Sequence, residues 1–263
     1  MKHRRTLLRR IALAAILSAA SASTGSAEES IAAKLPPPSL LQPGIGAHDP
    51  RARIDPGAAP WRGVGKLQAT TGNLYMGCTG SLVGPATVLT AAHCVYNPRT
   101  RQYFPPASLH FLIGFESGSY AAHARVVRIV TGPGYDRANP KRTPGSDWAL
   151  LTLDANIGTP DRILPIRAEP PAAGDDVMVG GYSQDHAIVL TADSACRIVG
   201  EVDAPGGRKL LHHNCTGTHG VSGAPLLVKD GARWTVGGIA VSAEVGVASG
   251  YAAILDEARK RLP

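Results

Sequence analysis

The sequence predicts an all-β fold, on two observations. The 263 residues include 30 glycines and 21 prolines, which separate many short runs of Val, Leu and Ile. Short apolar runs bounded by turn residues are typical of strands joined by tight turns. A hydrophobic fraction of 44% with 18% charged residues excludes a disordered chain, and the lack of sustained heptads excludes a coiled coil. The length suits one large domain or two small fused ones.

The first 27 residues contain the three parts of a secretory signal. A basic start is followed by the apolar stretch Ile11–Ala20 and then by small residues. We expect cleavage after Ala27, with Ala22 as the alternative. The apolar stretch is much shorter than the ~20 residues that a membrane span requires, so a permanent anchor is not favoured. The arginine pair at positions 4 and 5 leaves twin-arginine export open.

This signal also carries most of the net charge. The full chain has 27 basic and 20 acidic residues, a formal net charge of +7. Five basic residues lie in the first ten positions, so the chain after residue 27 keeps 22 basic residues against the same 20 acidic ones. A nucleic-acid-binding domain keeps its basic excess on the folded part. We therefore expect a soluble, extracellular or periplasmic monomer that binds neither nucleic acid nor, after signal removal, a membrane.

Four cysteines fit an exported protein, because an even count in an oxidising compartment predicts two disulfides. Three pairings are possible in principle. Cys78 and Cys94 lie 16 positions apart, and Cys196 and Cys215 lie 19 apart, so local pairing is the simplest solution. Each such loop would stabilise the fold by roughly 3 kcal/mol. The spacings differ from the close cysteine pairs of zinc sites.

Residues 28–60 are rich in proline and glycine and have little hydrophobic periodicity. This composition predicts an extended or loosely ordered leader, which is a candidate pro-segment.

From Trp61 onward, short apolar runs form two series separated by a linker at residues 158–171. In residues 61–157 the predicted strands are Gly63–Leu67, Thr79–Val83, Thr87–Ala91, Leu109–Ile113, Ala124–Ile129 and Trp148–Leu153. In residues 172–263 they are Asp176–Gly180, Ala187–Leu190, Ala195–Val202, Lys209–His212, Pro225–Val228 and Trp234–Val241. Ile254–Leu262 predicts a C-terminal helix, because its acids come early and its bases late, which complements the helix dipole.

Three segments combine the residue types of nucleophilic catalysis. His93 and Cys94 end the run Leu-Thr-Ala-Ala-His-Cys, and Asp147 opens an apolar strand in Ser-Asp-Trp-Ala-Leu-Leu. Ser222 lies between two glycines in His-Gly-Val-Ser-Gly-Ala-Pro. A serine hydroxyl is a poor nucleophile unless a base lies within hydrogen-bond reach and a third group orients that base.

These segments resemble the trypsin-like serine proteases of the chymotrypsin fold. The usual forms of that family are Thr-Ala-Ala-His-Cys, Asp-hydrophobic-Ala-Leu-Leu and Gly-Asp-Ser-Gly-Gly-Pro, in this order along the chain. The resemblance covers roughly residues 61–253 and is closest to the secreted bacterial branch, which includes the glutamyl endopeptidase-like enzymes. It implies two consecutive six-stranded antiparallel β-barrels, residues 61–157 and 172–263, with an active cleft between them and a helix at the C-terminus.

The resemblance also implies a role for each residue. Ser222 would attack a peptide bond of a polypeptide substrate, His93 would act as the base, and Asp147 would orient His93. The backbone N–H groups of Gly220 and Ser222 would form the oxyanion hole, since the loop needs a strained backbone at Gly220. No cofactor or metal ion would be required.

The resemblance implies disulfides that agree with local pairing. Cys78–Cys94 would join the strands that present His93, and Cys196–Cys215 would tie a strand of the second barrel to the loop that leads to Ser222.

Two positions depart from the family pattern. Val221 stands where many members carry an aspartate, whose carboxylate pairs with the new N-terminal amine made by zymogen cleavage. Arg53-Ile54 is similar to a tryptic activation site, but an Ile54 amine would find no carboxylate beside Ser222. Ala224 replaces the second glycine after the serine, which is a modest change.

The predicted specificity pocket has no charge at its base. Members that cleave after Lys or Arg often hold an aspartate six residues before the serine, where this chain has Thr216. Glutamyl-specific members place a histidine on the strand corresponding to Gly238–Ala243, which has none here, and Glu244 lies near the mouth. We therefore expect an uncharged, small or medium side chain before the scissile bond. The expected lining is Thr216, Gly217, Thr218, Ile239, Ala240, Val241, Ser242 and Ala243.

Three other functions fit the sequence less well. An α/β-hydrolase places its nucleophile before Asp and His in the chain, whereas Ser222 comes last. A non-catalytic binding module on a protease fold usually lacks a triad residue, and none is missing here. A metal site could combine His212, His213, Cys215 and His219, but adjacent histidines on a strand point to opposite faces.

Overall fold

A computed structural model describes residues 41–71 and 74–262 of the chain. The predicted signal, its cleavage positions and residues 28–40 of the predicted leader lie outside this part. Within it, no helix has the length and apolar character needed to cross a membrane.

The first barrel is a closed ring of six antiparallel strands, preceded by the two-residue strand β1 (Ala52–Arg53). Its first strands are β2 (Val64–Thr71), β3 (Leu74–Gly84) and β4 (Thr87–Thr90). A small hairpin follows, formed by β5 (Tyr96–Asn97) and β6 (Gln102–Tyr103). The remaining barrel strands are β7 (Leu109–Ile113), β8 (Ala122–Thr131) and β9 (Ala149–Leu153). The order around the ring is β2–β3–β4–β9–β8–β7, and β7 closes it by pairing with β2.

The second barrel is also a closed ring of six antiparallel strands. Its strands are β10 (Asp176–Gly181), β11 (Thr191–Asp203), β12 (Lys209–His213), β13 (Pro225–Asp230), β14 (Arg233–Ala243) and β15 (Gly250–Ala253). The ring order is β11–β10–β13–β14–β15–β12, and the pairing of β11 with β12 closes it. The helix α1 (Asp256–Arg259) follows. The predicted fold of two consecutive six-stranded barrels and a C-terminal helix is confirmed.

Each barrel encloses its own apolar residues, as alternating strands require when one face is buried. In the first barrel Leu67, Leu82 and Phe111 are completely buried. In the second barrel Leu211 and Leu226 are completely buried. These two cores hold the strand ends that carry the candidate catalytic residues.

One predicted strand of the second barrel is wrong. Ala187–Leu190 is a turn and loop, because its carbonyl groups accept hydrogen bonds from a lysine side chain and a loop of the first barrel instead of from a neighbouring strand. Lys66 Nζ donates to Ala187 O at 2.7 Å, and Ser117 N–H donates to Ile188 O at 2.7 Å.

The sixth strand is instead β15, which the sequence pattern did not reveal. Its sequence Gly-Tyr-Ala-Ala has little of the β-branched character that marks strands. Pairing with β12 on one side and β14 on the other determines its conformation. The predicted helix Ile254–Leu262 begins directly after this strand and is shorter than expected, since α1 has only the four residues Asp256–Arg259.

The described part of the predicted leader, residues 41–60, packs against the second barrel. Strand β1 extends the sheet beyond β11, with Ala52 opposite Ala192 and Arg53 opposite Thr191. Pro43 forms an isolated bridge with Val245. Of the two expected states, extended or loosely ordered, the extended one agrees with β1, although composition could not reveal pairing partners that lie far along the chain.

Candidate active site

His93 lies in a single 3-10 turn, Ala92–Val95, directly after β4. Its Nδ1 is 2.7 Å from Asp147 Oδ2, and its backbone N–H donates to Asp147 Oδ1 at 2.9 Å. Asp147 is buried, and both oxygens of its carboxylate accept hydrogen bonds from His93. The bond at Nδ1 assigns the proton to that nitrogen and leaves Nε2 as the unprotonated, base-competent atom.

The pKa of His93 is set by two opposing effects. Burial disfavours the imidazolium and lowers the pKa, but the charge of Asp147 and its hydrogen bond outweigh this and raise the pKa above 6.5. The pair can therefore accept a proton near neutral pH.

The loop that carries Ser222 docks on the middle of β3, at Thr79, and on the end of β4, at Thr90. Ser222 O accepts a hydrogen bond from Thr79 N–H at 3.0 Å and lies 3.6 Å from Cys94 Sγ. A Cβ at Gly223 would overlap Thr90 Oγ1 and lie 2.7 Å from Ala91 N, so only glycine permits this approach. Because Cys94 directly follows His93, this contact joins the backbone of Ser222 to the turn that carries His93. Ser222 is half-buried, and its hydroxyl has no hydrogen-bond partner among the described residues.

Two backbone donors lie next to Ser222 without acceptors. Within the described residues, neither Gly220 N–H nor Ser222 N–H donates a hydrogen bond. The orientation of the peptide between His219 and Gly220 is fixed by a hydrogen bond, because His219 O accepts from Gln184 N–H at 2.6 Å. In a trans peptide the C=O and the N–H point in opposite directions, so this bond turns Gly220 N–H away from Gln184. Gly220 has φ +93°, a conformation that favours glycine.

Val221 anchors the same loop by apolar packing. It is buried in a cluster that includes Cys215 and Ala224, and its N–H donates to Thr218 O at 3.0 Å. The disulfide Cys196–Cys215 lies in this cluster. The position where many similar chains carry a carboxylate is thus filled here by a buried aliphatic side chain.

Comparison with known proteins shows the family. The sequence pattern described as trypsin matches residues 51–255 of this chain. The chain belongs to the trypsin family. The match begins ten residues before the first predicted barrel, so it includes β1.

Individual relatives in the trypsin family are distant. Trypsin zeta of Drosophila erecta is 25% identical over 178 residues, which cover 58% of this chain and 61% of that protein. Serine protease SP24D of Anopheles gambiae is 32% identical over 109 residues, covering 41% of this chain and 37% of that protein. The chain therefore matches less than two thirds of the length of these curated relatives.

Solved structures share the fold over most of their length. A Glu endopeptidase in complex with MPD superposes with a TM-score of 0.66 at 21% identity, covering 82% of this chain and 95% of that one. Protease Anisep from Arthrobacter nicotinovorans superposes with a TM-score of 0.57 at 16% identity, covering 78% and 93%. Both comparisons support the two-barrel architecture of this trypsin-family chain.

The two expected walls of the specificity pocket are bridged by the N-terminal segment. Gly44 O accepts from Gly217 N–H at 3.1 Å, while Gly44 N–H donates to Glu244 O at 2.6 Å. Residue 44 thus joins the segment Thr216–Thr218 to the end of β14. The sequence pattern did not single out Gly44, because nothing in the leader distinguishes it from other turn glycines.

The expected lining residues differ in exposure. Thr216, Thr218, Ile239 and Ala240 are buried, and the Ile239 side chain belongs to the hydrophobic core. Gly217, Val241 and Ala243 are partly exposed, and Ser242 is exposed.

His213 is a buried histidine that the sequence suggested only as a metal ligand. Its Nδ1 accepts from Cys215 N–H at 3.2 Å. Burial lowers its pKa to about 4, so the ring is neutral at pH 7 and carries its proton on Nε2.

The alternative metal site at His212, His213, Cys215 and His219 is not assembled, since these residues do not form a group of close ligand atoms in the described part of the chain. Cys215 is bonded to Cys196, and His212 Nε2 lies 2.9 Å from Ser249 Oγ. Among the described residues, one group has ligand atoms close enough for a metal ion, namely Cys78, His93 and Cys94. Both of its sulfur atoms belong to the disulfide Cys78–Cys94. Both predicted disulfides are therefore present, and neither leaves a thiolate for coordination.

Proposed function

We propose that this trypsin-family chain is a secreted serine endopeptidase that hydrolyses peptide bonds through an acyl-enzyme on Ser222. The observation that carries the proposal is that, among the described residues, Gly220 N–H and Ser222 N–H donate no hydrogen bond, on a loop that contacts the turn of His93 through Cys94. Such donors are worth several kcal/mol when they face a developing oxyanion.

The mechanism follows from the positions of these groups. His93 Nε2 removes the proton of the Ser222 hydroxyl as Oγ bonds to the substrate carbonyl carbon. The carbonyl electron pair moves onto the oxygen, which accepts hydrogen bonds from Gly220 N–H and Ser222 N–H. His93 then donates its proton to the leaving amine as the C–N bond breaks. Water then attacks the ester carbonyl carbon while His93 takes its proton. The bond between Ser222 Oγ and that carbon breaks as His93 returns the proton to Oγ, and the acyl part leaves as a carboxylic acid.

Asp147 stabilises the imidazolium that exists between these proton transfers. Its two contacts with His93 fix both the ring and the backbone of that residue, and they keep the carboxylate beside the imidazole. All the groups in this scheme belong to the chain itself, so the proposal includes no cofactor.

The substrate proposal is a polypeptide with an uncharged, small or medium side chain before the scissile bond. Thr216 supplies no carboxylate for Lys or Arg, and the strand segment Gly238–Ala243 has no histidine for an acidic side chain. The extracellular or periplasmic location is supported by the pattern of residues 1–27 and by two disulfides, which persist in oxidising compartments.

A fluorophosphonate tests the proposal directly. Intact mass spectrometry of the exported protein should show one phosphonyl adduct on the wild-type chain and none on Ser222→Ala. The same spectrum, before reaction, measures where the mature chain begins and so tests cleavage after Ala27. A correctly folded wild-type protein that takes up no adduct would contradict the proposal and favour a non-catalytic binding module.

A further inference from the structure

Arg51 is a buried charge next to β1 that the mechanism above does not use. Its side chain is 3% exposed. The guanidinium donates to Asp49 through Nε at 2.9 Å and Nη2 at 2.7 Å, and to Asp185 through Nη1 at 3.1 Å and Nη2 at 2.6 Å. Nη1 also donates to Ser183 Oγ at 3.0 Å. These five contacts match the five N–H donors of an arginine side chain.

The electrostatics of the cluster hold it together. The hydrogen bond from Arg51 lowers the pKa of Asp49. Burial alone would raise the pKa of Asp185, but its hydrogen bond and charge interaction with Arg51 outweigh burial and lower that pKa. Both carboxylates are therefore ionised at neutral pH, and the bidentate geometry is the strong form of such a pair.

The two barrel residues that Arg51 holds lie on either side of Gln184. That residue begins the 3-10 turn Gln184–His186. Its N–H is the donor that binds His219 O at 2.6 Å, and its nitrogen would lie 3.1 Å from a Cβ at Gly220. Arg51 thus fixes Ser183 and Asp185, these fix the backbone of Gln184, and Gln184 sets the direction of the peptide that carries Gly220 N–H.

We propose that Arg51 is a positioning residue for the oxyanion hole, acting through Ser183 and Asp185 on Gln184. Val221 leaves no carboxylate for an ion pair beside Ser222 and holds the loop by apolar packing instead. Through Gln184, the N-terminal segment adds a further support, which acts on the peptide between His219 and Gly220. The inference rests on the proposed function, because it concerns the transition state of acyl transfer.

The same strand region offers a matched control. Arg53 forms one ion pair with Glu116 at 2.8 Å, but its side chain is 65% exposed and it touches none of residues 183–185. Strand β1 pairs with β11 through backbone groups in either case. Arg51→Ala and Arg53→Ala therefore remove the same charge from neighbouring positions with different connections to Gln184.

A second control lies within the cluster itself. Asp185→Asn weakens the contact that flanks Gln184, whereas Asp49→Asn weakens a contact on the far side of the guanidinium. Both variants preserve side-chain size. They keep the inference testable if Arg51→Ala does not fold.

The experiment measures two properties of the wild type and of each variant. One is kcat and KM for a fluorogenic casein-derived peptide, and the other is the second-order rate constant of phosphonylation by a fluorophosphonate. Removing an oxyanion donor costs about 100-fold or more, so misplacing one should lower kcat and the phosphonylation rate by roughly 10-fold in Arg51→Ala, with KM nearly unchanged. Arg51→Lys should recover part of this loss, and Arg53→Ala should match the wild type. Asp185→Asn should lose more than Asp49→Asn.

Two results would overturn the inference. One is a folded Arg51→Ala protein with wild-type kcat and phosphonylation rate but a lower melting temperature, which would make the cluster purely structural. The other is an equal effect of Asp185→Asn and Asp49→Asn on both rates. A wild-type protein that is not phosphonylated at all would instead contradict the proposed function.

Discussion

Gly223 and Thr90 come from different barrels, and their contact leaves no room for a methyl group. A Cβ at position 223 would overlap Thr90 Oγ1 and would lie 2.7 Å from Ala91 N. Thr90 is itself fixed, because its hydroxyl donates to Thr79 O at 2.7 Å. The loop of the second barrel is thus seated on the strand that leads to His93.

Gly223→Ala should therefore separate Ser222 from His93. Gly223 has φ +79°, and Gly231 has φ +59° but nothing within 4 Å of the place where an alanine methyl group would lie. Both alanine variants carry the left-handed backbone penalty of about 1–2 kcal/mol, so only Gly223→Ala adds the overlap. We expect at least a 100-fold loss of phosphonylation rate in Gly223→Ala and a near wild-type rate in Gly231→Ala. Equal rates in the two variants would show that the contact does not position Ser222.

The pH dependence of activity should report the His93–Asp147 pair. Because His93 acts as a base, kcat/KM should rise with pH through the pKa of His93, which Asp147 raises above 6.5. Asp147→Asn removes that charge, so the midpoint of the acid limb should move to lower pH while kcat falls by about 10⁴-fold. Asp154→Asn changes an exposed carboxylate bound to Arg125 and should leave the profile unchanged. An unshifted midpoint in Asp147→Asn would contradict this assignment.

Val221→Asp restores the residue that many related chains carry, yet it should harm this one. The side chain is buried among apolar residues, and an unpaired buried carboxylate costs roughly 3 kcal/mol or more. Burial should raise the pKa of the new carboxyl in the folded state, so the loss of stability should shrink as the pH is lowered. Val221→Asn has the same size without the charge and should show no such pH dependence. Urea midpoints at pH 5 and pH 8 measure the difference, and pH-independent losses in both variants would rule out a charge effect.

The sequence predicted most of what depends on local pattern. The motifs around His93 and Asp147 predicted a contact that the structure contains at 2.7 Å, and alternating apolar runs predicted eleven of the twelve barrel strands. Strand β15 was missed because Gly250, Ala252 and Ala253 have low intrinsic β propensity, and its pairing with two neighbours determines it.

The connection from Arg51 to Gly220 could not be predicted from the sequence. Arg51 and Asp185 are 134 positions apart, and the last step runs through the backbone N–H of Gln184, which every residue except proline possesses. Composition gave no hint of it, since the prolines and glycines around Arg51 predicted only an extended or loosely ordered leader. Side-chain motifs thus predicted the candidate catalytic residues. The hydrogen bonds that hold the backbone of the Ser222 loop became visible only in the folded structure.

The pairing of Ala52 with Ala192 has a consequence for synthesis on the ribosome. The first barrel can close once β9 has emerged, but β1 must wait for β11, which is made much later. The loop with Ser222 follows later still, and β15 must be translated before the second barrel can close around that loop. Any proteolytic activity therefore arises only after nearly all of the described chain has been translated.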